Sequence, residues 1–481
     1  MRYTVVIKNL SYLTLIIGAS MLLPLAFSIH YDSGDAFSLI ISAAIGMVLG
    51  ISGIIFTPVS SHEIRPREAF AIVTSAWIIF ASIGSLPYLF SGATSDYTDA
   101  FFETMSGITT TGATIFKDIE SLPEGILFWR SLTHWLGGMG IVLFSIAILP
   151  FLGVGGMQLF KAEVPGPSVD KLSPRIKESA KILWLVYVLL TAILTILLIS
   201  GGMSFFDALC HSFGTMATGG FSTKNASIAY YSDSYIDYVL IVFMLIAGTN
   251  FTLIYKLMKG DLKSLFNSGE FKIYISIVAI SSAFIAYHLY SGSGNDVASD
   301  IKYALFQVSS IITTTGFINA DYEQWSSSSQ LILMTLMFIG GCAGSTAGGL
   351  KVIRLIILLK FMYNELKRLI HPQAIIHVKF GNFTVDNKVL ANVVGFFTVY
   401  VVIAVMSTIV ISSFGIDFVS SLGAVSATLN NVGPGFGDLG PTDNFSALPA
   451  VVKWILSFLM MLGRLEIYTV IILITPIFWR K

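Results

Sequence analysis

Ten stretches of about twenty mostly apolar residues run through this chain, and a membrane-crossing helix needs about that length. Only 12% of the residues are charged, against about 25% in soluble domains, so the bilayer must serve as the solvent for the apolar side chains. We therefore predict an all-α integral membrane protein. The stretches are residues 10–29, 37–58, 69–92, 126–150, 182–201, 236–257, 272–291, 329–370, 389–414 and 450–478.

Basic residues in the short connections predict the orientation, because cytoplasmic loops are enriched in lysine and arginine. With ten crossings, the basic residues listed at the end of this paragraph all fall on one side of the membrane, together with both termini. The opposite connections carry mostly aspartate and glutamate. We therefore predict a multi-pass protein with both termini in the cytoplasm. The basic residues are Arg65, Arg67, Lys161, Lys171, Arg175, Lys177, Lys259, Lys263, Lys367, Arg368, Lys379, Arg480 and Lys481.

Four segments repeat one pattern, a short helix-like run followed by a polar turn with glycine and an acidic loop. Each run has about twelve residues, too few to cross a bilayer, and so fits a re-entrant helix. In the second segment the equivalent glycine is either Gly219 or Gly220, and Gly220 is preferred because Gly220-Phe221 matches Gly316-Phe317. The segments are 99–115, 206–223, 300–318 and 417–437, with Gly112, Gly220, Gly316 and Gly433 at equivalent positions.

Each short run lies between two crossing stretches, which defines a unit of span, pore helix, loop and span. Four such units around one central pore leave the first two spans as extra N-terminal transmembrane helices. The predicted divisions are 1–68 for the two extra helices and 69–180, 181–270, 271–387 and 388–481 for the four pore repeats.

The four loops have the composition of a cation filter. Non-helical backbone at membrane depth is tolerated where it is buried in protein or lines a watery cavity, and backbone carbonyls can replace the hydration shell of an ion. Glycine permits the unusual dihedral angles this needs. A single such turn would simply connect two helices, whereas four at equivalent positions favour a pore. The predicted potassium-binding residues are Thr110, Thr111, Gly112, Thr218, Gly219, Gly220, Thr314, Thr315, Gly316, Asn431, Val432 and Gly433.

These segments, with three further motifs, resemble the Trk/Ktr/HKT superfamily of potassium transporters, most closely the bacterial Trk-type membrane subunit. The further motifs are WRSLTHWLGGMGI at 129–141, GGCAGSTAGG at 340–349 and LGRLEI at 462–467. The resemblance covers nearly the whole chain. It implies potassium uptake across the bacterial inner membrane by a homodimer with one pore per protomer. The loops at Ala217 and Pro434 depart from a symmetric filter, which leaves strict selectivity for potassium over sodium open.

The resemblance also implies a partner, a cytosolic TrkA-like regulatory subunit with RCK domains that bind NAD(H) and/or ATP/ADP. The chain shows no G-x-G-x-x-G fingerprint after a strand, so we expect no organic cofactor in this chain and nucleotide control through the partner. The connection 371–388 is a candidate docking surface for it, or a plain positively charged cytoplasmic loop. No basic stripe with interleaved aromatics suggests nucleic-acid binding.

A gate is expected below the filter. The glycine-rich stretch 340–349 should break its helix, and by resemblance it is an intramembrane loop that moves on opening; the alternative is close helix packing through small residues. Arg464 is an ionisable residue in mid-span and is expected to face the pore. Its alternative role is to pair with a carboxylate such as Glu466, although their spacing of two disfavours this. The expected gate residues are Gly340, Gly341, Gly344, Ser345, Thr346, Gly348, Gly349 and Arg464.

Four other polar or aromatic residues have expected roles. Glu103 and Asn250 either support the filter from behind or make ordinary buried hydrogen bonds. Trp129 and Trp135 are expected to anchor the chain at the membrane interface. His134 has no clustered partner and is given no metal role, and Cys210 and Cys342 are not expected to form a disulfide.

Three functional classes account for these features to different degrees. A gated passive channel fits parallel copies of one unit around a filter, with potassium and rubidium preferred. A sodium- or proton-coupled symporter is the alternative and should show alternating-access repeats with broken helices at the membrane midplane, whereas the repeats here are parallel copies. An enzyme would need a nucleophile with a base, or a metal cluster, and the sequence suggests neither.

Overall fold

The computed structural model describes residues 1–57, 64–147, 172–293, 296–374, 377–380 and 383–480. In these residues the regular secondary structure is helical except for one hairpin of two-residue strands. The strands are β1 (Lys379–Phe380) and β2 (Phe383–Thr384), on the candidate docking connection. The prediction of an all-α membrane protein is confirmed apart from this hairpin. The helices up to residue 200 are α1 (Tyr3–Ser20), α2 (Leu22–Tyr31), α3 (Ala36–Phe56), α4 (Pro66–Gly84), α5 (Leu86–Phe90), α6 (Tyr97–Ile108), α7 (Glu124–Ala147) and α8 (Leu172–Ser200).

The described residues after 200 also form α-helices, with short 3₁₀ helices at Ser227–Tyr230 and Tyr322–Gln324. Its helices are α9 (Phe205–Ala217), α10 (Ser234–Ala247), α11 (Phe251–Met258), α12 (Leu262–Asn267), α13 (Gly269–Ser293), α14 (Val297–Ile312), α15 (Ser327–Ile339), α16 (Val352–Ile370), α17 (Asn387–Ser412), α18 (Phe418–Leu429), α19 (Ala450–Arg464), α20 (Ile467–Ile474) and α21 (Pro476–Trp479).

Six of the described helical segments are long and apolar enough to cross a membrane, and the number is eight if two bent helix pairs each count as one span. The cytoplasmic position of the termini remains a prediction, and Lys161, Lys171 and Lys481 lie outside the described residues. The six segments are Tyr3–Tyr31, Ala36–Phe56, Pro66–Phe90, Glu178–Ser200, Gly269–Ser291 and Asn387–Ser412.

Two stretches that the sequence analysis treats as single crossings are broken. The pair α10 and α11 is bent by 109°, and the pair α19 and α20 by 118°. At the first break the Asn250 side chain accepts a hydrogen bond of 2.8 Å from the Thr252 amide and so starts a new helix. At the second break Glu466 has a positive φ of 61°, which turns the chain out of the helix.

The helices that hold the candidate site are α6, α9, α14 and α18. They have 12, 13, 16 and 12 residues, as the re-entrant pattern predicted. Polar caps start three of them, where the Asp96, Ser204 and Asp417 side chains accept hydrogen bonds from backbone amides. Towards their C-terminal ends all four helices are buried in the protein.

Candidate functional site

Each of the four short helices ends in the same turn. After α6, the amide of Thr111 donates 2.8 Å to the carbonyl of Ser106, and the amide of Thr110 donates 3.0 Å to that of Gly107. These two bonds, with Thr110 in the left-handed region, form the Schellman ending of a helix. Bonds of the same spacing follow α9, α14 and α18. The left-handed residues are Thr110, Thr218, Thr314 and Asn431, with φ of 52°, 55°, 57° and 56°.

A glycine with positive φ follows two residues after each left-handed residue. Gly112, Gly220, Gly316 and Gly433 have φ of 86°, 79°, 78° and 101°. Gly220 rather than Gly219 therefore has the backbone position of the other three glycines, in line with the preferred alignment. We call the segments 109–112, 217–220, 313–316 and 430–433 the filter loops.

Threonine is an unexpected residue for the left-handed position. A branched Cβ makes this conformation an outlier, at a cost of about 1–3 kcal/mol for each residue. Glycine or asparagine is the usual choice at this place in a Schellman ending. Three filter loops nevertheless place Thr110, Thr218 and Thr314 there. Strain that persists at equivalent positions indicates that the hydroxyl groups are required.

The filter loops contact one another in a closed ring. A methyl group added to Gly112 would lie 2.2 Å from the carbonyl oxygen of Gly219, and one added to Gly220 would lie 2.0 Å from that of Thr315. A methyl group added to Gly316 would lie 2.0 Å from the carbonyl oxygen of Val432. A methyl group added to Gly433 would lie 2.6 Å from the carbonyl oxygen of Thr111, in the first loop. The loops therefore follow one another in chain order around a single axis, and the fourth closes on the first.

The carbonyl groups of this ring are buried without hydrogen-bond donors. Buried backbone carbonyls are nearly always paired in proteins, so a ring of unpaired ones is an arrangement ready to hold a cation. Within the described part of the chain, no hydrogen bond reaches the carbonyl oxygens of Thr110, Thr111, Thr218, Thr314, Thr315, Asn431 and Val432, and all seven residues are buried.

Side chains hold the filter loops in different ways. In the first loop the hydroxyls of Thr109 and Thr111 lie 2.7 Å apart, and Thr313 and Thr315 repeat this in the third. The fourth loop has asparagine instead. The Asn431 amide donates 3.0 Å to the Thr111 hydroxyl and 2.9 Å to the Met460 carbonyl. These bonds tie the fourth loop to the first loop and to α19.

The glycine-rich segment breaks its helix as predicted. Residues 340–351, which we call the intramembrane loop, separate α15 from α16. The Gly348 amide donates 2.6 Å to the Thr314 hydroxyl. The Thr346 hydroxyl lies 3.0 Å from the Met216 carbonyl and 3.1 Å from that of Ala247. The loop therefore touches the third filter loop and the C-terminal end of α9.

Arg464 fastens the intramembrane loop to α19. Its guanidinium donates 2.6 Å to the Thr346 carbonyl and 3.5 Å to the Gly137 carbonyl, and the residue is 3% exposed. In the described residues no carboxylate forms an ion pair with Arg464. Glu466 pairs with Arg354 instead. The alternative role of Arg464 as a partner of Glu466 is therefore wrong.

Glu270 is a loop contact that the sequence analysis did not single out. One carboxylate oxygen accepts hydrogen bonds of 2.8 Å from the Ala343 amide and 3.2 Å from the Ile353 amide. It thereby holds the intramembrane loop near both of its ends. The sequence signal that could have identified Glu270 is a carboxylate at the very start of an apolar stretch.

The expectation for Trp129 needs correction, and the structure decides between the two roles left open for Asn250. Trp129 does not anchor the chain to lipid, because it is fully buried in the protein and donates a hydrogen bond of 2.9 Å to the Gly84 carbonyl. Trp135 is partly buried, and its indole lies 3.3 Å from the Thr191 hydroxyl. Asn250 caps α11 beside the intramembrane loop instead of supporting a filter loop. Cys210 and Cys342 are both buried and free.

Glu103 does lie behind the first filter loop. Its carboxylate accepts 2.9 Å from the Ile115 amide and 2.6 Å from the Arg130 guanidinium. His134, also on α7, lies within hydrogen-bond distance of the Gly107 carbonyl and the Phe221 amide. These three side chains are buried between the first and second filter loops.

Asn225 joins the connections that follow the first two filter loops. Its side-chain carbonyl accepts 2.7 Å from the Ile119 amide, and its amide group donates 2.8 Å to the Asp118 carboxylate. This hydrogen bond lowers the pKa of the Asp118 carboxyl from its usual value. Both residues lie outside the candidate spans.

A helical membrane fold with a ring of carbonyl-lined loops is that of a cation transport protein, and the comparisons specify the family. Residues 41–279 and 280–480 match the TrkH model, described as a cation transport protein. The chain belongs to the TrkH family.

Relatives match over the full length. The Trk system potassium uptake protein TrkH of Escherichia coli is 42% identical, and that of Halomonas elongata is 40% identical, each over 100% of both chains. The crystal structure of the potassium transporter TrkH from Vibrio parahaemolyticus superimposes with a TM-score of 0.92 at 36% identity, again covering 100% of both chains.

Proposed function

We propose that this chain takes up potassium through a gated pore formed by the four filter loops. Its relatives are potassium uptake proteins by name. The pore residues are those predicted from the sequence, and the preference is for potassium and rubidium. The four pore repeats, with the divisions given above, surround the pore.

The observation that carries the proposal is the ring of buried carbonyl oxygens without donors. Carbonyl oxygens can replace the hydration shell of an ion, and an ion in the ring would satisfy groups that are otherwise costly to bury. The strained threonines add hydroxyl oxygens at the end of the ring that faces the intramembrane loop. The C-terminal ends of the four helices lead directly into the ring and add negative potential there.

The intramembrane loop acts as the gate in this proposal. It is bonded to Thr314 in the third filter loop and to the guanidinium of Arg464. The loop leaves the pore when these bonds break. The gate residues are the glycines, Ser345, Thr346 and Arg464 named above.

The proposed assembly is a homodimer in the bacterial inner membrane, regulated by a cytosolic RCK subunit that binds the nucleotide. The relatives belong to a Trk system, a name that supports further components. The described part of the connection after α16 carries the β1–β2 hairpin and offers a surface for that subunit.

Cation flux into liposomes tests the proposal. The purified chain is reconstituted with potassium, rubidium, sodium or lithium outside and an imposed membrane potential. Flux that follows the potential and favours potassium and rubidium supports a passive pore. Flux that requires a sodium or proton gradient identifies a coupled symporter and contradicts the pore.

A further inference from the structure

Three of the four short helices carry a polar side chain at one shared position, nine residues before the filter glycine. The first three of these residues are Glu103, His211 and Gln307, and the fourth is Ala424. Glu103 accepts a bond from the Ile115 amide, and His211 lies 2.9 Å from the Ser222 hydroxyl.

The third helix follows the same plan. The Gln307 amide donates 3.1 Å to the Asn319 side chain and 3.2 Å to the Ala320 carbonyl. Three loops are therefore braced by their own helix just beyond the filter. The chemistry differs in each case, and Glu103 supplies the carboxylate.

The brace at Glu103 extends to the second loop. Arg130 donates 2.6 Å to Glu103 and 2.9 Å to the Ser222 carbonyl. Its guanidinium lies 3.5 Å from the centre of the Phe221 ring. Glu103 and Arg130 are 0% and 2% exposed, so solvent does not weaken this ion pair.

His134 makes a second link between the same two loops, one helical turn along α7. The Phe221 amide can only donate, so Nε2 of His134 accepts it at 3.2 Å. The proton then lies on Nδ1, which donates 2.7 Å to the Gly107 carbonyl. A methyl group on Gly219 would lie 2.5 Å from this ring.

The third and fourth loops are joined by a phenol and a carboxylate. The Tyr322 hydroxyl donates 2.8 Å to the Gly435 carbonyl. The Glu323 carboxylate, after the third loop, accepts 2.7 Å from the Gly437 amide, after the fourth. The junction between the first two loops differs in having an ion pair between two buried side chains, Glu103 and Arg130. Hydrogen bonds to charged groups are stronger than neutral ones.

We infer that Glu103, Arg130 and His134 form a strut that sets the spacing of the first and second filter loops and thereby the selectivity for potassium. They are positioning residues and do not touch the ion. Discrimination between ions by a carbonyl cage depends on how the oxygens are held. This inference rests on the proposed function.

The test compares Glu103→Gln, Arg130→Gln and the double variant by the potassium-to-sodium permeability ratio in liposomes. Each single variant leaves one buried group without its charged partner, so we expect the ratio to fall about tenfold, equivalent to ~1.4 kcal/mol. The double variant should fall no further, because the two groups act as a unit. Glu68→Gln, which breaks the Arg2–Glu68 pair at the N-terminal helices, is the control and should keep the ratio.

A second arm uses His134, in case the charge variants do not accumulate. A glutamine side chain carries both a donor and an acceptor, so His134→Gln can keep both hydrogen bonds, while His134→Leu loses both. We expect a reduced ratio for His134→Leu and recovery for His134→Gln. A normal ratio in His134→Leu or Glu103→Gln, with a selective parent protein, overturns the strut alone. A parent protein without selective flux overturns the proposed function and the strut with it.

Discussion

The amide nitrogen of Gly348 lies 2.6 Å from the hydroxyl oxygen of Thr314, so the intramembrane loop is hydrogen-bonded directly to a filter loop. The equivalent hydroxyl in the first loop, that of Thr110, has no hydrogen-bond partner among the described residues. Movement of the intramembrane loop must therefore free one filter hydroxyl and leave another unaffected. The proposed gate is therefore bonded to the ring through the third filter loop.

Replacing Thr314 with valine should favour the open gate. The change removes the acceptor for the Gly348 amide, and loss of one such bond is worth about 1 kcal/mol, or roughly a fivefold shift in the open population. Thr314→Val and Thr110→Val each lose one threonine hydroxyl from the ring, so potassium flux without the regulatory partner should be higher in Thr314→Val than in Thr110→Val by that factor in liposomes. Thr110→Val is the matched control, since its hydroxyl makes no loop contact. Equal flux from the two variants would show that the Gly348 bond does not restrain the gate.

An alanine at Gly316 should damage the filter. Its methyl group would lie 2.0 Å from the Val432 carbonyl oxygen, which is far inside contact distance, and φ is positive there. We expect potassium flux or its preference over sodium to fall about tenfold or more, because the carbonyl ring must shift. Gly202→Ala has the same backbone strain with open space around it, and should retain both properties. A Gly316→Ala protein with normal flux and preference would argue against the ring as the filter.

Substitution of Arg464 should release the intramembrane loop from α19. Arg464→Met keeps much of the side-chain volume and loses the bond to the Thr346 carbonyl. Partner-independent flux should increase about tenfold or more, since a hydrogen bond to a charged group contributes about 1.5–3 kcal/mol. Arg464→Lys retains the charge, and its partner-independent flux should lie between those of the parent protein and Arg464→Met. Unchanged flux with reduced protein abundance would assign Arg464 a purely structural role.

The carboxylate oxygen of Glu270 that accepts from two backbone amides should stabilise the intramembrane loop. Glu270→Ala leaves the amides of Ala343 and Ile353 without that acceptor, at a cost of about 1–3 kcal/mol. We expect a lower melting temperature in detergent. Glu270→Gln keeps a carbonyl oxygen at the same place and should melt closer to the parent protein. If alanine and glutamine variants melt alike, the carboxylate charge matters more than the two hydrogen bonds.

Much of the fold was predictable because local patterns determine it. Apolar length indicated the membrane class, and the repeated short run before a polar glycine turn indicated the four short helices. The match of Gly220-Phe221 with Gly316-Phe317 indicated the equivalence of Gly220 with Gly316. The broken helix at 340–351 followed from its glycine content.

Other features depend on contacts between distant parts of the chain. The bend at Asn250 is accompanied by a bond from the Phe251 amide to the Gly344 carbonyl, and nothing in the local sequence reveals that neighbour. The burial of Trp129 depends on α4, which supplies the Gly84 carbonyl. The separate partners of Arg464 and Glu466 likewise come from remote segments.

The contact that closes the ring has a consequence for biosynthesis. Asn431 donates to Thr111 across 320 residues of sequence, and the Phe445 amide bonds to the Thr114 carbonyl nearby. A ribosome makes the first wall of the ring long before the last, and unsatisfied backbone groups are costly in a membrane. The nascent chain therefore carries an open, unsealed set of loops until α18 and the loop after it have been inserted. A translation arrest ahead of α18 yields a membrane-bound fragment that cannot enclose an ion.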